Sequence, residues 1–387
     1  MMHLGPDSEL PDNLDAPGGF AWWYVDAVDA DGNGMVCIWA WGLPFLPGMR
    51  AHPTPARLRP SVNLALYEGG RCVYFLLQEL RPDEATRDGA ETDAQSWTFG
   101  PNRFRSTRSG GRLALEGHLD LPVPGSRARL RGGFTLEGVH PTWGFHGDTH
   151  VPHRWTPLCL PASATVDLAT DDGFAFALKG RGYHDRNQST VPLTAIGARS
   201  WSWGRVAQPD AEVVHYLLEP DIAIQGAEGA RPLRNASPER GGRGPLHPSA
   251  AAPEAGRPLH LALRVGLDGT THVGEAPDAD LTAPRRDLYG VPWHGHVQVG
   301  ADRVRYLDPV ESGPFYLRHP LLDPETGARG WGERVVPARI DVPWQRPLVR
   351  MRVHGPDPRH DSAWLPIFSG PTTGRVERLV RSWTGTS

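Results

Sequence analysis

From Phe20 onwards the chain repeats one pattern. Apolar and polar residues trade places at every second position over short runs, and the runs stop at glycine, proline or aspartate. Alternation of this period puts successive side chains on opposite faces of an extended strand, so it predicts strands with one face packed. "FAWWYVDAV" (20–28) breaks at "DADGNG", a strong hairpin turn, and "MVCIWAWGL" (35–43) follows it. "VNLALYE", "RCVYFLLQEL", "GRLALEGHLDL", "ARLRGGFTLEG", "SATVDLA" and "FAFALKG" repeat the pattern. After a break come "EVVHYLLEPDIAIQ", "HLALRVGL", "HVQVG", "RVRYLDPV" and "MRVHG". With 45 glycines and 39 prolines among 387 residues, long helices are disfavoured. Many short strands divided by such turns predict an all-β protein built of antiparallel barrels or sandwiches.

The length suffices for two domains. The joint is expected near 195–205, giving one unit over 18–197 and a second over 198–387. Residues 226–258, rich in Gly, Pro, Ala and Arg, read as a flexible insertion in the second unit. A net charge of -4 with no basic cluster gives no nucleic-acid footprint. Cys37, Cys72 and Cys159 are scattered and imply neither a disulfide framework nor a metal site. The opening residues lack the basic and apolar regions of a signal peptide, and no apolar run could span a bilayer. A cytoplasmic setting is expected.

Chemistry concentrates in two stretches. In "GYHDRN" (182–187) an extended strand places Tyr183 and Asp185 on one face, with His184 and Arg186 opposite. In "VPHRWTPL", His153 and Trp155 share a face. Turn chemistry is the bland explanation of Gly, Asp and Asn; the sharper one is a strand that delivers an acid into a pocket. The run "HGDTHVPH" offers His146, Asp148 and His150 in alternation, then His153, all residue types that zinc or iron accept. Nothing recurs at the spacing of known metal families, and a polar loop bent at Gly147 and Pro152 explains the run, so no metal is expected. No nucleophile elbow, phosphate loop or dinucleotide glycine pattern is present, so no cofactor is expected either.

"PGGFAWWYVDAVDADGNG", "HRWTPLCLPASATV", "GYHDRNQSTVPL", "WSWGR" and "GPFYLRHPL" resemble, in the same order, segments of the bacterial carotenoid 1,2-hydratases (hydroxyneurosporene synthases). The resemblance runs from about Pro17 to about Leu322. It implies two tandem lipocalin-like antiparallel β-barrels, and a site made of a His-x-Trp and a Tyr-x-Asp pair. These match His153 and Trp155, then Tyr183 and Asp185. The chain departs from the family's pattern at Gln188 and Ser189, and at Trp39 and Trp41, where smaller or phenyl side chains are more usual.

Hydrating an alkene without a cofactor needs an acid strong enough to make a tertiary carbocation. Asp185 can serve if burial keeps it protonated near neutral pH. Tyr183 would orient it, and Trp155 would stabilise the cation. His153 would hold the water and take its proton. Of the 14 tryptophans, Trp22, Trp23, Trp39, Trp41, Trp201 and Trp203 are the expected pocket walls, with Asn187 beside them. The expected partner is a hydrophobic polyene or isoprenoid, with a transient membrane-surface contact as one option; the substrate's route from a membrane and the oligomeric state are left open. A cyclase or Diels–Alderase on the same fold, and a non-catalytic lipid carrier, are the alternatives.

Overall fold

A computed structural model describes residues 2–4, 11, 14–49, 52–88, 93–123, 126–141, 153–221, 259–274, 285–287, 289–340, 348–351 and 363–366. Among them there is no α-helix, only strands and four short 3-10 turns. No helix there is long and apolar enough to cross a membrane.

In chain order the first strands are β1 Met2–Leu4, β2 Phe20–Val28, β3 Gly34–Trp41, β4 Pro60–Glu68, β5 Arg71–Glu79, β6 Ala85–Asp88, β7 Ala94–Phe99, β8 Asn102–Ser109, β9 Arg112–Pro122, β10 Arg129–Val139, β11 His153–Thr170 and β12 Ala175–Ser189. Then follow β13 Ala198–Ala207, β14 Ala211–Pro220, β15 Leu259–Gly266, β16 Thr271–Gly274, β17 Arg285–Arg286, β18 Pro292–Trp293, β19 His296–Val299, β20 Asp302–Tyr306, β21 Glu311–Ser312, β22 Tyr316–Leu322, β23 Arg329–Val335, β24 Leu348–Met351 and β25 Ala363–Pro366.

These strands build the expected all-β architecture as two curled antiparallel sheets. The first runs β24-β25-β5-β4-β3-β2-β12-β11-β10-β9-β8-β7-β6, and the second β16-β15-β14-β13-β23-β22-β20-β19. The first sheet curls until the Trp23 ring of β2 lies, tilted, 5.2 Å from Trp97 on β7 and 5.8 Å from Phe104 on β8. The chain leaves this sheet after Ser189 and enters the second at Ala198. β25 returns to pair with β5, and β24 pairs with β25, covering a sheet edge whose backbone groups need partners. Residues 226–258 lie outside the described residues.

The "DADGNG" turn forms as expected. The Asp29 carboxylate accepts the backbone N–H groups of Asp31 and Asn33, each at 2.9 Å, and Gly32 takes the positive φ of 85° that the turn demands. Burial separates two kinds of strand. β9 alternates, with one face inside. β2 and β3 are buried along both faces. β12 changes from one kind to the other within itself: it alternates from Ala175, then stays buried from Gly182 to Ser189. β11 does the same in reverse, buried from Trp155 to Ala162 and alternating beyond. The doubly buried portions lie where the second sheet packs against the outside of the first.

Alternation therefore sorts the apolar residues into three groups. Trp23, Trp39, Leu115 and Phe134 fill the curl of the first sheet. Val206, Val213, Trp293 and Leu317 pack on the far face of the second. Trp22, Tyr24, Trp155, Tyr183, Trp203 and Trp331 belong to a cluster between the two. Buried polar ties pin this contact. Arg205 of β13 forms an ion pair with Asp26 of β2 and another, at 2.8 Å, with Glu212. Trp331 donates to the Ala27 carbonyl at 3.2 Å and lies where a Cβ on Gly34 would come within 2.3 Å of its ring. Tyr67 of β4 bonds Glu311 of the second sheet. On the opposite face of β12, His184 Nδ1 meets the Tyr24 carbonyl of the neighbouring strand at 2.9 Å.

Candidate active site

The buried end of β12 carries the acid. In the sheet register Asp185 lies opposite Tyr24 on one side and Pro157 on the other, while Asn187 lies between Trp22 and Trp155. Next to Pro157, β11 is irregular over Pro157–Ala162, a break in the ladder beside the carboxyl. The shared face inferred from alternation is real: Tyr183, Asp185, Asn187 and Trp155 meet.

Asp185 is 2% exposed. Its Oδ2 accepts from Trp155 Nε1 at 2.7 Å and from the Tyr183 hydroxyl at 2.8 Å, and its Oδ1 accepts from Asn187 Nδ2 at 3.0 Å. Burial pushes the carboxyl up to about 7, against the pull of the Trp155 and Tyr183 donors. His153 stands behind this group. Its Nε2 is 3.3 Å from Asn187 Oδ1, and burial takes its pKa down to about 3, so the imidazole is neutral at ordinary pH. His153 does not line the cleft in front of Asp185. It reaches the acid through Asn187.

That cleft, about 310 Å³ including its open mouth, lies between the sheets and is lined by Trp22, Tyr24, Trp155, Asp185, Asn187, Trp201, Trp203, Tyr216 and Glu333. The rings contact one another: Tyr183 and Tyr24 are each 5.2 Å from Trp203, and Trp155 is 5.3 Å from Tyr216. Trp203 Nε1 and the Tyr216 hydroxyl have no hydrogen-bond partner among the described residues. A larger apolar chamber of about 610 Å³ adjoins it across Glu333, with Ile38, Leu43, Phe45, Phe75, Leu77 and Phe315 in its walls.

Of the expected walls, Trp22, Trp201 and Trp203 are in place. Trp23, Trp39 and Trp41 are not. They point into the first sheet's own core, where Trp23 packs 5.4 Å from Trp41, Trp41 4.8 Å from Phe99 and Trp39 4.9 Å from Phe104. The reason is the strand period: Trp23 adjoins Trp22 and must face away, and Trp39 pairs with Trp23 across the ladder. The cavity also lies between the sheets and not inside the first one. Tyr24, Tyr216 and Glu333 escaped the sequence reading. Tyr24 shares the parity of Trp22 and could have been found; Glu333 sits in "GWGERV" with no local signal. His146, Asp148 and His150 lie outside the described residues. Among those described, no group of three or more metal-capable side chains converges.

No protein-family model matches the chain. It is 26% identical to a hydroxyneurosporene dehydrogenase from Chlorobaculum tepidum, over 80% of this chain and 78% of that protein. It is 27% identical to an acyclic carotenoid 1,2-hydratase from Thiocapsa roseopersicina, over 78% of this chain and 64% of the relative. A hydratase of the same name from Rubrivivax gelatinosus is 27% identical over 86% and 74%. Among solved structures, CghA with Sch210972 aligns over 86% of this chain and 95% of its own, at TM-score 0.49 and 14% identity. Kievitone hydratase from Nectria haematococca aligns over the same shares at TM-score 0.38 and 8% identity. These structural likenesses are too weak to bear on chemistry. In sequence, the chain is distantly similar to proteins named for carotenoid chemistry.

Proposed function

We propose that the protein adds water across a carbon–carbon double bond of a hydrophobic polyene or isoprenoid, by acid–base chemistry on its own side chains. One observation carries the reading: a fully buried carboxyl, bonded by neutral donors and poised near pH 7, opens onto a cleft walled by aromatic rings. The likeness to two acyclic carotenoid hydratases supports both the reaction and the substrate class.

The hydrogen-bond pattern supports one place for the acid proton. Oδ2 spends both lone pairs on Trp155 and Tyr183, while Oδ1 accepts one bond, from Asn187. The acid proton therefore occupies the remaining lone pair of Oδ1. Transfer to the alkene leaves a tertiary carbocation and a carboxylate. The same three donors bind the anion more strongly than the acid, so their effect grows along the reaction path. The faces of Trp22, Trp201 and Trp203 stabilise the cation, each desolvated cation–π contact contributing ~2 kcal/mol. Tyr183 and Trp155 orient the acid, and His153 fixes the Asn187 amide. Water then captures the cation.

The test is turnover of an acyclic carotene such as lycopene in D₂O and H₂¹⁸O. Hydration puts deuterium on carbon and ¹⁸O in the hydroxyl, and Asp185→Asn removes both. Deuterium without ¹⁸O in a ring-closed product would replace hydration by cation cyclisation. An unlabelled ring would remove the acid mechanism, and binding without conversion would leave a carrier.

A further inference from the structure

A hydratase needs a second group to take the proton of the attacking water, and His153 is not in the cleft to do so. Among the residues lining the cleft, Glu333 is the one carboxyl besides Asp185. It comes from β23 of the second sheet, next to Trp203 in the ladder, while Asp185 comes from the first. We infer that Glu333 is the general base that activates the water, facing Asp185 across the cleft. The inference rests on the hydration reading above.

The surroundings of the two carboxyls are set apart. Asp185 is bonded by an indole, a phenol and an amide, all neutral. Glu333 is held by a cation: Arg318 Nη2 donates to its Oε1 at 2.7 Å, and the Tyr316 hydroxyl donates to the same oxygen at 3.3 Å. Arg318 is itself anchored, its Nη1 lying 2.6 Å from the Tyr67 hydroxyl and 3.4 Å from Glu311. A guanidinium so fixed favours the charged form of its partner carboxylate. Burial raises Glu333 in its turn, against the pull of Arg318, and a base so raised accepts a proton more readily. Two carboxyls in one cleft, one without a cation and one with, divide the acid and base roles.

Geometry supplies the water site. Both donors to Glu333 use Oε1, which leaves Oε2 to accept from a molecule in the cleft. The Tyr216 hydroxyl, on the same cleft and without a partner among the described residues, can hold that water from another side. The step balances. Asp185 gives its proton to one alkene carbon, the water oxygen bonds to the other, and the water's proton passes to Glu333 Oε2. Proton exchange through solvent then returns Glu333 to its anion and Asp185 to its acid, with one water consumed.

Lycopene in D₂O and H₂¹⁸O tests this with Glu333→Gln, which keeps the shape of the side chain and leaves Arg318 paired to Glu311. The variant should still protonate the alkene. The cation, uncaptured, should lose a proton again, so recovered substrate gains deuterium while ¹⁸O incorporation falls at least ~100-fold, the scale of a lost general base. Formate added to Glu333→Ala should restore hydration in proportion to its concentration. Hydration by Glu333→Gln at the wild-type rate would overturn the assignment and leave the hydration reading standing. Loss of both labels together, with no formate rescue, would make Glu333 a structural partner of Arg318 and overturn it as well. A wild-type protein that incorporates neither label would sink the reading and the inference together.

Discussion

Asp185→Asn should make the protein more stable at alkaline pH while it abolishes turnover. In the fold the carboxyl rises from its ordinary 3.8 to about 7, with burial the main cause. A raised value means that the folded state holds the proton more tightly. The contribution to stability is therefore complete below pH 3.8 and is lost as the pH climbs through about 7. At ~1.36 kcal/mol per pH unit the loss totals about 4 kcal/mol, of which about 2–3 kcal/mol falls between pH 5 and 8. Asparagine has no such loss, and the site can take it. Its amide oxygen accepts from Trp155 and Tyr183, and its Nδ2 faces Asn187, whose own amide turns over to accept. His153, neutral, then accepts through Nε2 by changing tautomer. His153 has the opposite dependence: its lowered value gives stability that is lost as the pH falls from 6.5 towards 3. Both proteins share that term, so it cancels in their difference. Urea unfolding of both at half-unit intervals from pH 5 to 9 measures that difference directly, and kcat should fall at least ~100-fold in the variant. A difference that stays flat with pH would mean that Asp185 ionises as it does in water. It could not then be the acid, and the reasoning would fail.

The wild-type rate should fall about tenfold per pH unit above pH ~7, because only protonated Asp185 is active; a rate constant from pH 6 to 9 would place the proton donor elsewhere. Trp203→Ala should cost ~2 kcal/mol of cation stabilisation, near thirtyfold in kcat, besides the stability that any buried tryptophan loses. Trp39→Ala should lose ~3–5 kcal/mol of stability in a denaturant melt while KM and kcat hold. Equal kinetic effects would refute the division of the tryptophans between core and cleft. Arg205→Met strands Asp26 and Glu212 in the interface and should cost ~3–5 kcal/mol, recovered in part by adding Asp26→Asn; unfolding curves of the single and double variants decide this.

Much of this protein is legible along its chain. Alternation in "FAWWYVDAV" and "GYHDRN" is enough to place strands, turns and the shared face of Tyr183 and Asp185, because the side-chain direction of an extended chain reverses at each residue. The same rule separates Trp22 from Trp23. It does not say which of the two faces the cleft, because both are equally buried, one by the first sheet's own curl and the other by the second sheet. A sequence pattern records that a face is covered, not what covers it. Trp39 and Trp41 lie in the first sheet's core and not in the cleft for that reason. Glu333 and Tyr216 stayed hidden because they join Asp185 only when β14 and β23 pack on β12. The acidity of Asp185 likewise belongs to no local motif. It arises from the removal of water by two sheets at once, and only tertiary structure brings them together.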